Sequence, residues 1–374
     1  MSRNECYVSN PAGSGLADRL ARWLETGWQG ERPCPVLRPL GAIYGLGAVL
    51  RRKLYGPVFK VERAARPVVS IGNLTVGGSG KTPMCLALAR FLLDRGYRPA
   101  VLSRGYGRRE DGGWQPPIVV SRGAGPEVPP EVGGDEPWLM ADELDGLRVV
   151  VDSDRARGAG AAIEDLGADI LILDDGFQHL KLAADCRILM APAHKPFGNG
   201  AVLPAGPLRE PVSAHRLADI LIASGAESPT PEVLELAGGR PVFAAKYRSV
   251  GWQPLGNHHI EPLETLAGPP VFAFCGLGRP DSFLRSLRAL GLKLRRFTAL
   301  RDHQVYDRPT LNRLGLDYLA SGAEVMVTTA KDAAKLPAGF PLPVKILKME
   351  MSLDRPDEFI SAVLRVMERG ASGS

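Results

Sequence analysis

Ser70-Ile71-Gly72-Asn73-Leu74-Thr75-Val76-Gly77-Gly78-Ser79-Gly80-Lys81-Thr82 joins an apolar run at residues 67–71 to an Ala/Leu-rich stretch at 82–95. A strand, a glycine-rich turn, Lys-Thr and then a helix is the layout of a phosphate-binding P-loop. Gly77, Gly78 and Gly80 allow backbone N–H groups to curl around phosphate oxygens, and Thr75, Val76 and Ser79 complete the loop. Lys81 reaches the β and γ phosphates of ATP, and Thr82 offers a hydroxyl to Mg2+ at the helix N-terminus. Thr75 stands where the general G-x-x-x-x-G-K-[ST] pattern has its first glycine. The bland alternative, a glycine-rich turn that merely enters a helix, is disfavoured because strand, turn, Lys-Thr and helix coincide.

Outward from this loop the chain alternates short apolar runs with helical stretches. Residues 67–71, 99–103, 148–151, 169–173, 187–191 and 219–223 read as buried parallel strands. Residues 82–95 and 153–167 read as crossover helices, which makes residues 61–240 an α/β domain built on a parallel sheet. The rhythm lapses at 224–239, which reads as a linker. Strands at 242–247, 271–276, 324–329 and 344–347, with helices at 281–290, 309–320 and 356–367, then predict a second, smaller α/β domain over residues 241–374. The Pro/Gly-rich piece from Gly105 to Gly134 has no periodicity and reads as a functional or mobile loop.

Composition bounds the function classes. At 374 residues two domains are the first expectation, and 45% hydrophobic with 23% charged residues is an ordinary globular balance. A net charge of +5 favours anionic ligands or lipid surfaces but is too diffuse to indicate nucleic acid. Cys6, Cys34, Cys85, Cys186 and Cys275 lack metal-site or disulfide spacing. No secretory signal or membrane-spanning run occurs, so a cytoplasmic protein is expected. Residues 1–60 are expected to be helical, with Leu16, Leu20, Trp23 and Leu24 at helical spacing. Within that segment residues 39–50 carry no charge and are flanked by Arg38 and by Arg51, Arg52 and Lys53, which suits either a lipid interface or a helix packed on the sheet.

Charged residues gather at the predicted strand ends. Asp174 and Asp175 close the run Asp169-Ile170-Leu171-Ile172-Leu173, where a P-loop needs a carboxylate for its metal shell; a strand-end turn is the alternative for Asp174. Arg104, in Ser103-Arg104-Gly105-Tyr106-Gly107-Arg108-Arg109, suits an anionic substrate, against the alternative of a solvated basic loop. Asp135, in Gly133-Gly134-Asp135-Glu136-Pro137, is a helix N-cap or a catalytic base, and the local pattern alone favours the cap.

These motifs, taken in order with Asp174-Asp175-Gly176-Phe177-Gln178-His179, Leu203-Pro204-Ala205-Gly206-Pro207-Leu208-Arg209-Glu210 and Asp302-His303, resemble the tetraacyldisaccharide 4'-kinase family. The resemblance covers the chain from about residue 35 onward. It implies phosphoryl transfer from MgATP to the 4'-hydroxyl of a tetraacyldisaccharide 1-phosphate lipid, forming lipid IVA, by a peripheral or monotopic protein on the cytoplasmic face of the bacterial inner membrane. It further implies two α/β domains joined by a β-stranded connection, and no nucleic-acid partner. By motif, Lys81 and Thr82 would bind phosphate and metal, and Asp135 would be the catalytic base, oriented by His303. Asp174, Asp175, Gln178 and His179 would line the nucleotide and acceptor site, Arg104 and Arg209 would contact phosphate, and Glu210 would join Thr82 and Asp174 at the metal. This sequence departs from the family pattern in an extension over residues 1 to about 30, in Gln304, and in Ala330. The competing readings are a P-loop kinase for a soluble metabolite and a nucleotide-switch ATPase, which needs no hydroxyl-activating base.

Overall fold

The computed structural model describes residues 7–9, 28, 33–77, 80–105, 108, 114–257, 259–278, 280–301, 304–337 and 339–372. The chain divides into two compact units, one of residues 14–246 with 351–374 and the other of residues 1–13 with 247–350.

In the first unit the strands are β2 (Val68–Gly72), β3 (Pro99–Ser103), β4 (Ile118–Arg122), β5 (Arg148–Val151), β6 (Ile170–Asp174), β7 (Cys186–Pro192) and β8 (Ile220–Ser224), with the start of β9 (Val242–Pro254). They lie in the order β9-β8-β7-β2-β6-β3-β5-β4. All neighbours are parallel except β4, which runs antiparallel to β5. Both faces are covered, so alternate residues of one strand enter different cores. Val69 and Ile71 of β2 and Ile172 of β6 join Met84, Cys85 and Leu88 of helix α2 (Lys81–Leu93). Val68, Leu171 and Leu173 turn the other way, onto Ala159 and Ala162 of α5 (Arg155–Glu164).

The helices between these are α1 (Arg38–Leu54), α3 (Pro130–Gly133) and α4 (Asp135–Glu143), and those that follow are α6 (Pro231–Ala237) and, at the far end of the chain, α10 (Pro356–Ser372). Three sequence expectations change here. The segment expected to be an aperiodic loop holds β4, whose Ile118 and Val120 are buried; a run this short between Pro117 and Gly123 leaves no periodicity to read. The expected linker contains α6, whose Val233 is buried. Helix α10 belongs with the P-loop unit and not with residues 241–350, because Phe359, Ile360 and Val363 pack in the same cluster as Met84 and Leu88.

Helix α1 resolves the uncharged segment. Gly41 and Gly45 are its buried positions, and a Cβ at Gly41 would stand 3.0 Å from the Val202 carbonyl oxygen and 3.1 Å from the Ala205 Cβ. The glycine side therefore faces the loop at 202–205, while Leu40, Ile43, Tyr44, Leu46 and Leu50 are exposed, Ile43 by 69% and Leu46 by 70%. Among the described residues no helix is long and apolar enough to cross a membrane. Residues 16–24, predicted as an amphipathic helix, lie outside the described residues.

The second unit holds β1 (Tyr7–Ser9), the end of β9, β10 (Pro270–Cys275), β11 (Lys293–Ala299), β12 (Val325–Thr329) and most of β13 (Val344–Leu353). Residues 7–9 thus form a strand in the stretch expected to be helical, paired with Phe297–Ala299. The order β1-β11-β10-β12-β13 is parallel throughout. Val271, Ala273 and Cys275 pack on α7 (Pro280–Ala289), and Phe272 and Phe274 pack on α8 (Arg308–Ser321); α9 (Ala330–Ala333) follows β12. Both units are α/β, as the alternation of runs predicted.

Candidate active site

The loop after β2 is braced by the segment that carries Arg209. The Arg209 N–H donates to the Leu74 carbonyl at 2.7 Å, the Val76 N–H donates to the Pro207 carbonyl at 2.8 Å, and Thr75 forms an antiparallel bridge with Leu208. This explains the missing glycine. Thr75 is an extended, bridge-forming residue, and the only non-glycine residues with positive φ among those described are Asp175 and Lys195. Gly80 does need the left-handed region, at φ 82°, and it is the N-cap of α2, so the helix starts at Lys81. Gly78 and Ser79 lie outside the described residues.

Lys81 is aimed by two partners. Its Nζ donates to Asn73 Oδ1 at 3.3 Å and pairs with Asp175 Oδ1 at 3.4 Å. Asn73 is fully buried, and Gln178 Nε2 donates to its carbonyl at 2.9 Å. Arg209 Nη1 grips both Asp175 oxygens, at 2.8 and 3.0 Å, and lies 3.4 Å from Gln178 Oε1. Burial pushes the Asp175 carboxyl up, but Lys81 and Arg209 outweigh it and hold the group below its usual range. Asp175 is therefore an anion clamped between two cations.

Asp174, the last residue of β6, behaves oppositely. It is buried, and its Oδ1 lies 3.6 Å from the Cys85 thiol, which donates to it. Burial, then the neighbouring charges of Glu136 and Asp175, raise its carboxyl to about 7. Adjacent acids thus hold different protonation behaviour because burial with two carboxylate neighbours prevails at Asp174, while Lys81 and Arg209 together outweigh burial at Asp175.

Thr82 Oγ1 donates to Glu136 Oε2 at 3.4 Å, which brings the start of α4 beside the start of α2. Gly134 is the N-cap of α4, and Asp135 is its first helical residue, so the cap reading of Asp135 is corrected. Arg104 is exposed at the end of β3. Asp302 and His303 lie outside the described residues, as do Tyr106, Gly107 and Arg109.

Glu210 takes a different part from the metal ligation the resemblance implied. Its buried carboxylate accepts from Arg52 of α1, with Nη2 2.9 Å from each oxygen and Nε 3.2 Å from Oε2. Arg52 Nη2 also donates to the Phe177 carbonyl at 3.0 Å, and Arg51 Nη1 to that of Gln178 at 3.4 Å. The carboxylate beside the Thr82 hydroxyl is Glu136. Among the described residues no group of three or more His, Cys, Asp or Glu is set to hold a metal by itself. A magnesium ion bound mainly through phosphate oxygens and water needs only one or two protein ligands, and Thr82, Asp174 and Glu136 are donors of that kind.

The sequence motifs include Asn73 and Glu136 without giving them a part, Arg52 was read only as a basic flank of the uncharged segment, and Arg155 was passed over. Arg155 carried the usable signal, a cation just past a strand's carboxyl end. Arg52 could not be found from its own neighbours, because its partners are distant in the chain.

A family model described as tetraacyldisaccharide-1-P 4'-kinase matches residues 34–368. The chain is 44% identical over 304 residues to a tetraacyldisaccharide 4'-kinase of Pelobacter propionicus, covering 80% of this chain and 82% of the relative. It is 40% identical over 352 residues to the one of Syntrophus aciditrophicus, covering 90% of this chain and 93% of the relative. Among solved structures it is similar to LpxK from Aquifex aeolicus in complex with ATP, with 33% identity, a TM-score of 0.73, and coverage of 89% of this chain and 98% of that one.

Proposed function

Since the chain belongs to the tetraacyldisaccharide-1-P 4'-kinase family, we propose that Asp135 is the base of its reaction and that α1 holds it at a lipid surface. The activity is transfer of the γ-phosphate of ATP to the 4'-hydroxyl of a tetraacyldisaccharide 1-phosphate, the step that forms lipid IVA. The observation that carries the residue assignment is the Thr82–Glu136 contact, which joins the helix of the phosphate loop to the helix that Asp135 begins.

In this reading Lys81, kept in place by Asn73 and Asp175, meets the β and γ phosphates and offsets the charge that builds on the leaving oxygen. Asp135 accepts the proton of the sugar hydroxyl as the new O–P bond forms and the bond to the ADP oxygen breaks. Mg2+, when bound by Thr82 with Asp174 and Glu136, would shield the phosphate oxygens. Asp175 and Arg209 serve by holding Lys81 and Gln178 rather than by proton transfer.

The exposed apolar face of α1 supports binding to the cytoplasmic face of the inner membrane. Ile43, Leu46 and Leu50 offer area to the acyl boundary, and Arg51 and Lys53 lie exposed at the helix end, where anionic headgroups attract cations. The acceptor's acyl chains occupy that same lipid phase.

The test is transfer from MgATP to the tetraacyldisaccharide 1-phosphate in detergent micelles. Asp135→Ala should lower kcat by about 10²- to 10⁴-fold while ATP affinity stays within about twofold. Full turnover by that variant would remove Asp135 from the mechanism.

A further inference from the structure

The unit of residues 247–350 holds a fully buried acid that no step of the reaction uses, Asp332 of α9. A carboxylate withdrawn from water is kept only where other donors replace the water. The Tyr306 hydroxyl donates to Oδ1 at 2.7 Å, the Gly276 N–H donates to the same oxygen at 3.0 Å, and the Thr329 hydroxyl donates to Oδ2 at 2.6 Å.

These donors come from three separate segments. Gly276 follows β10, Tyr306 lies between β11 and α8, and Thr329 ends β12. β10 stands between β11 and β12 in the sheet, and α7 and α8 cover opposite faces. The chain therefore leaves β10 in opposite directions, and the carboxyl ends of β10 and β12 form a topological switch point, where open α/β sheets carry function. A buried ion adds little net stability. What this node supplies is one fixed arrangement of the three segments.

The segment after β11 is held most closely. The Leu300 N–H donates to the Cys275 carbonyl at 2.8 Å, and a Cβ on Gly276 would stand 2.9 Å from the Arg301 carbonyl oxygen, so a side chain there would push the segment off the end of β10. The Gln304 N–H donates to the Arg301 carbonyl at 3.2 Å, its Oε1 accepts from the Arg301 N–H at 3.2 Å, and its Nε2 donates to Thr310 Oγ1 at 3.2 Å. Tyr306 completes the set through Asp332. In the chain, Asp302 and His303 fall between these pinned positions.

We propose that Asp332 is a positioning residue for phosphoryl transfer: through Tyr306 it fixes the segment from which His303 acts. The inference rests on the reading of Asp135 as the base and of His303 as the residue that orients it.

The experiment is a mutant cycle in the full chain, with kcat, the KM values for ATP and for the tetraacyldisaccharide 1-phosphate, and the apparent Tm measured for each variant. Tyr306→Phe deletes only the hydroxyl, since the ring keeps its neighbours Phe274, 6.3 Å between ring centres, and Lys335, whose Nζ lies 5.6 Å from the ring centre. It should lower kcat about 10- to 100-fold, the cost of a small misplacement of a catalytic group, with both KM values within about twofold. Asp332→Ala should do the same, and Asp332→Asn should recover most of the loss, because an amide oxygen still accepts from Tyr306 and Gly276.

The deciding comparison repeats Tyr306→Phe in a His303→Ala background, where it should cost less than about threefold more, because the hydrogen bond has nothing left to position. A purely structural bond would act alike in both backgrounds, so equal losses overturn the inference. A fully active Tyr306→Phe beside a crippled His303→Ala sinks it as well, and leaves the reading of the base intact. Wild-type turnover by His303→Ala would instead remove the histidine from the mechanism and take the inference with it. If Asp332→Ala does not fold, the Tyr306 cycle decides alone.

Discussion

At Asp174 the fold keeps a carboxyl group out of water beside two other acids, and that has a measurable cost. Its side chain titrates near 7 in the folded protein, against the usual carboxylate value near 4. Between those values the folded state binds the proton and the unfolded state does not, so stability falls as pH rises from about 4 to about 7 and then levels. The shift corresponds to a penalty on the order of 4 kcal/mol at most, since relaxation of the site reduces it. Asp174→Asn removes the ionisable group while keeping its shape. In ligand-free protein with chelator, its apparent Tm should exceed that of wild type by on the order of 5 °C at pH 8 and by little at pH 4.5. Thermal unfolding at the two values checks this, and a constant gap would show that Asp174 is not the group responsible. The same variant should lose transfer, because the charge it removes is the one available to a metal. Residues of this kind were legible in the sequence: Asp174, Asp175, Lys81 and Thr82 lie next to one another in the chain within their motifs, and their types announce phosphate and metal chemistry. Their division of labour was not legible. Whether an acid is an anion or half-protonated depends on which cations reach it, and Arg209 reaches Asp175 from a remote segment.

The end of α1 is tied into the site by one ion pair. Arg52 and Glu210 have side chains 21% and 7% exposed and share three hydrogen bonds, with a fourth from Arg52 to the Phe177 carbonyl. Removing one partner of so buried a pair leaves the other charged and unpaired, at a cost of about 3–5 kcal/mol, whereas an apolar pair of similar volume is often close to neutral. Arg52→Ala should therefore lower the apparent Tm markedly, while Arg52→Met with Glu210→Met recovers most of the loss. Equal melting of both variants would mean that the bond to the Phe177 carbonyl, and not the ion pair, anchors the helix. The opposite face of α1 makes a separate prediction. Ile43→Glu with Leu46→Glu exchanges two exposed apolar side chains for charges, so binding to anionic vesicles should weaken more than about tenfold with no change in Tm. Co-sedimentation reads this, and undiminished pelleting would move the lipid contact elsewhere. The sequence left α1 between a lipid interface and the sheet because both placements share one helical period. In the structure its two buried residues are glycines and the large apolar side chains face outward, so the apolar side is not the one packed on the protein.

At the scale of the whole molecule, the chain passes between its two units within β9 and β13, at residues 246–247 and 350–351. A continuous strand carries no composition break, which is why a boundary near residue 240 was readable while the return of the chain after residue 350 was not. Phe359, Ile360 and Val363 read as one face of a helix, and nothing local says which sheet that face covers. Each hydrophobic cluster among the described residues draws on one unit. The clusters built on Val69 and Ile71, on Leu74 and Phe177, and on Val68 and Leu171 draw only on the P-loop unit. Those built on Trp252 and on Phe272 draw only on residues 247–350. A unit that owns its core can fold alone. Replacing residues 247–350 by a flexible Gly/Ser linker should therefore leave a protein that unfolds cooperatively and binds ATP within about tenfold of wild type, since Asn73, Lys81, Asp175, Gln178 and Arg209 all remain. Transfer to the lipid should be abolished, because His303, the residue the family resemblance assigns to orient the base, leaves with the excised unit. The decisive comparison removes α10: the same protein ending at residue 354 should fail to fold, since that strips Phe359 from the cluster around Leu88 and Met84. If the shortened chain binds ATP as well as the one that keeps α10, the assignment of that helix to the P-loop core is wrong.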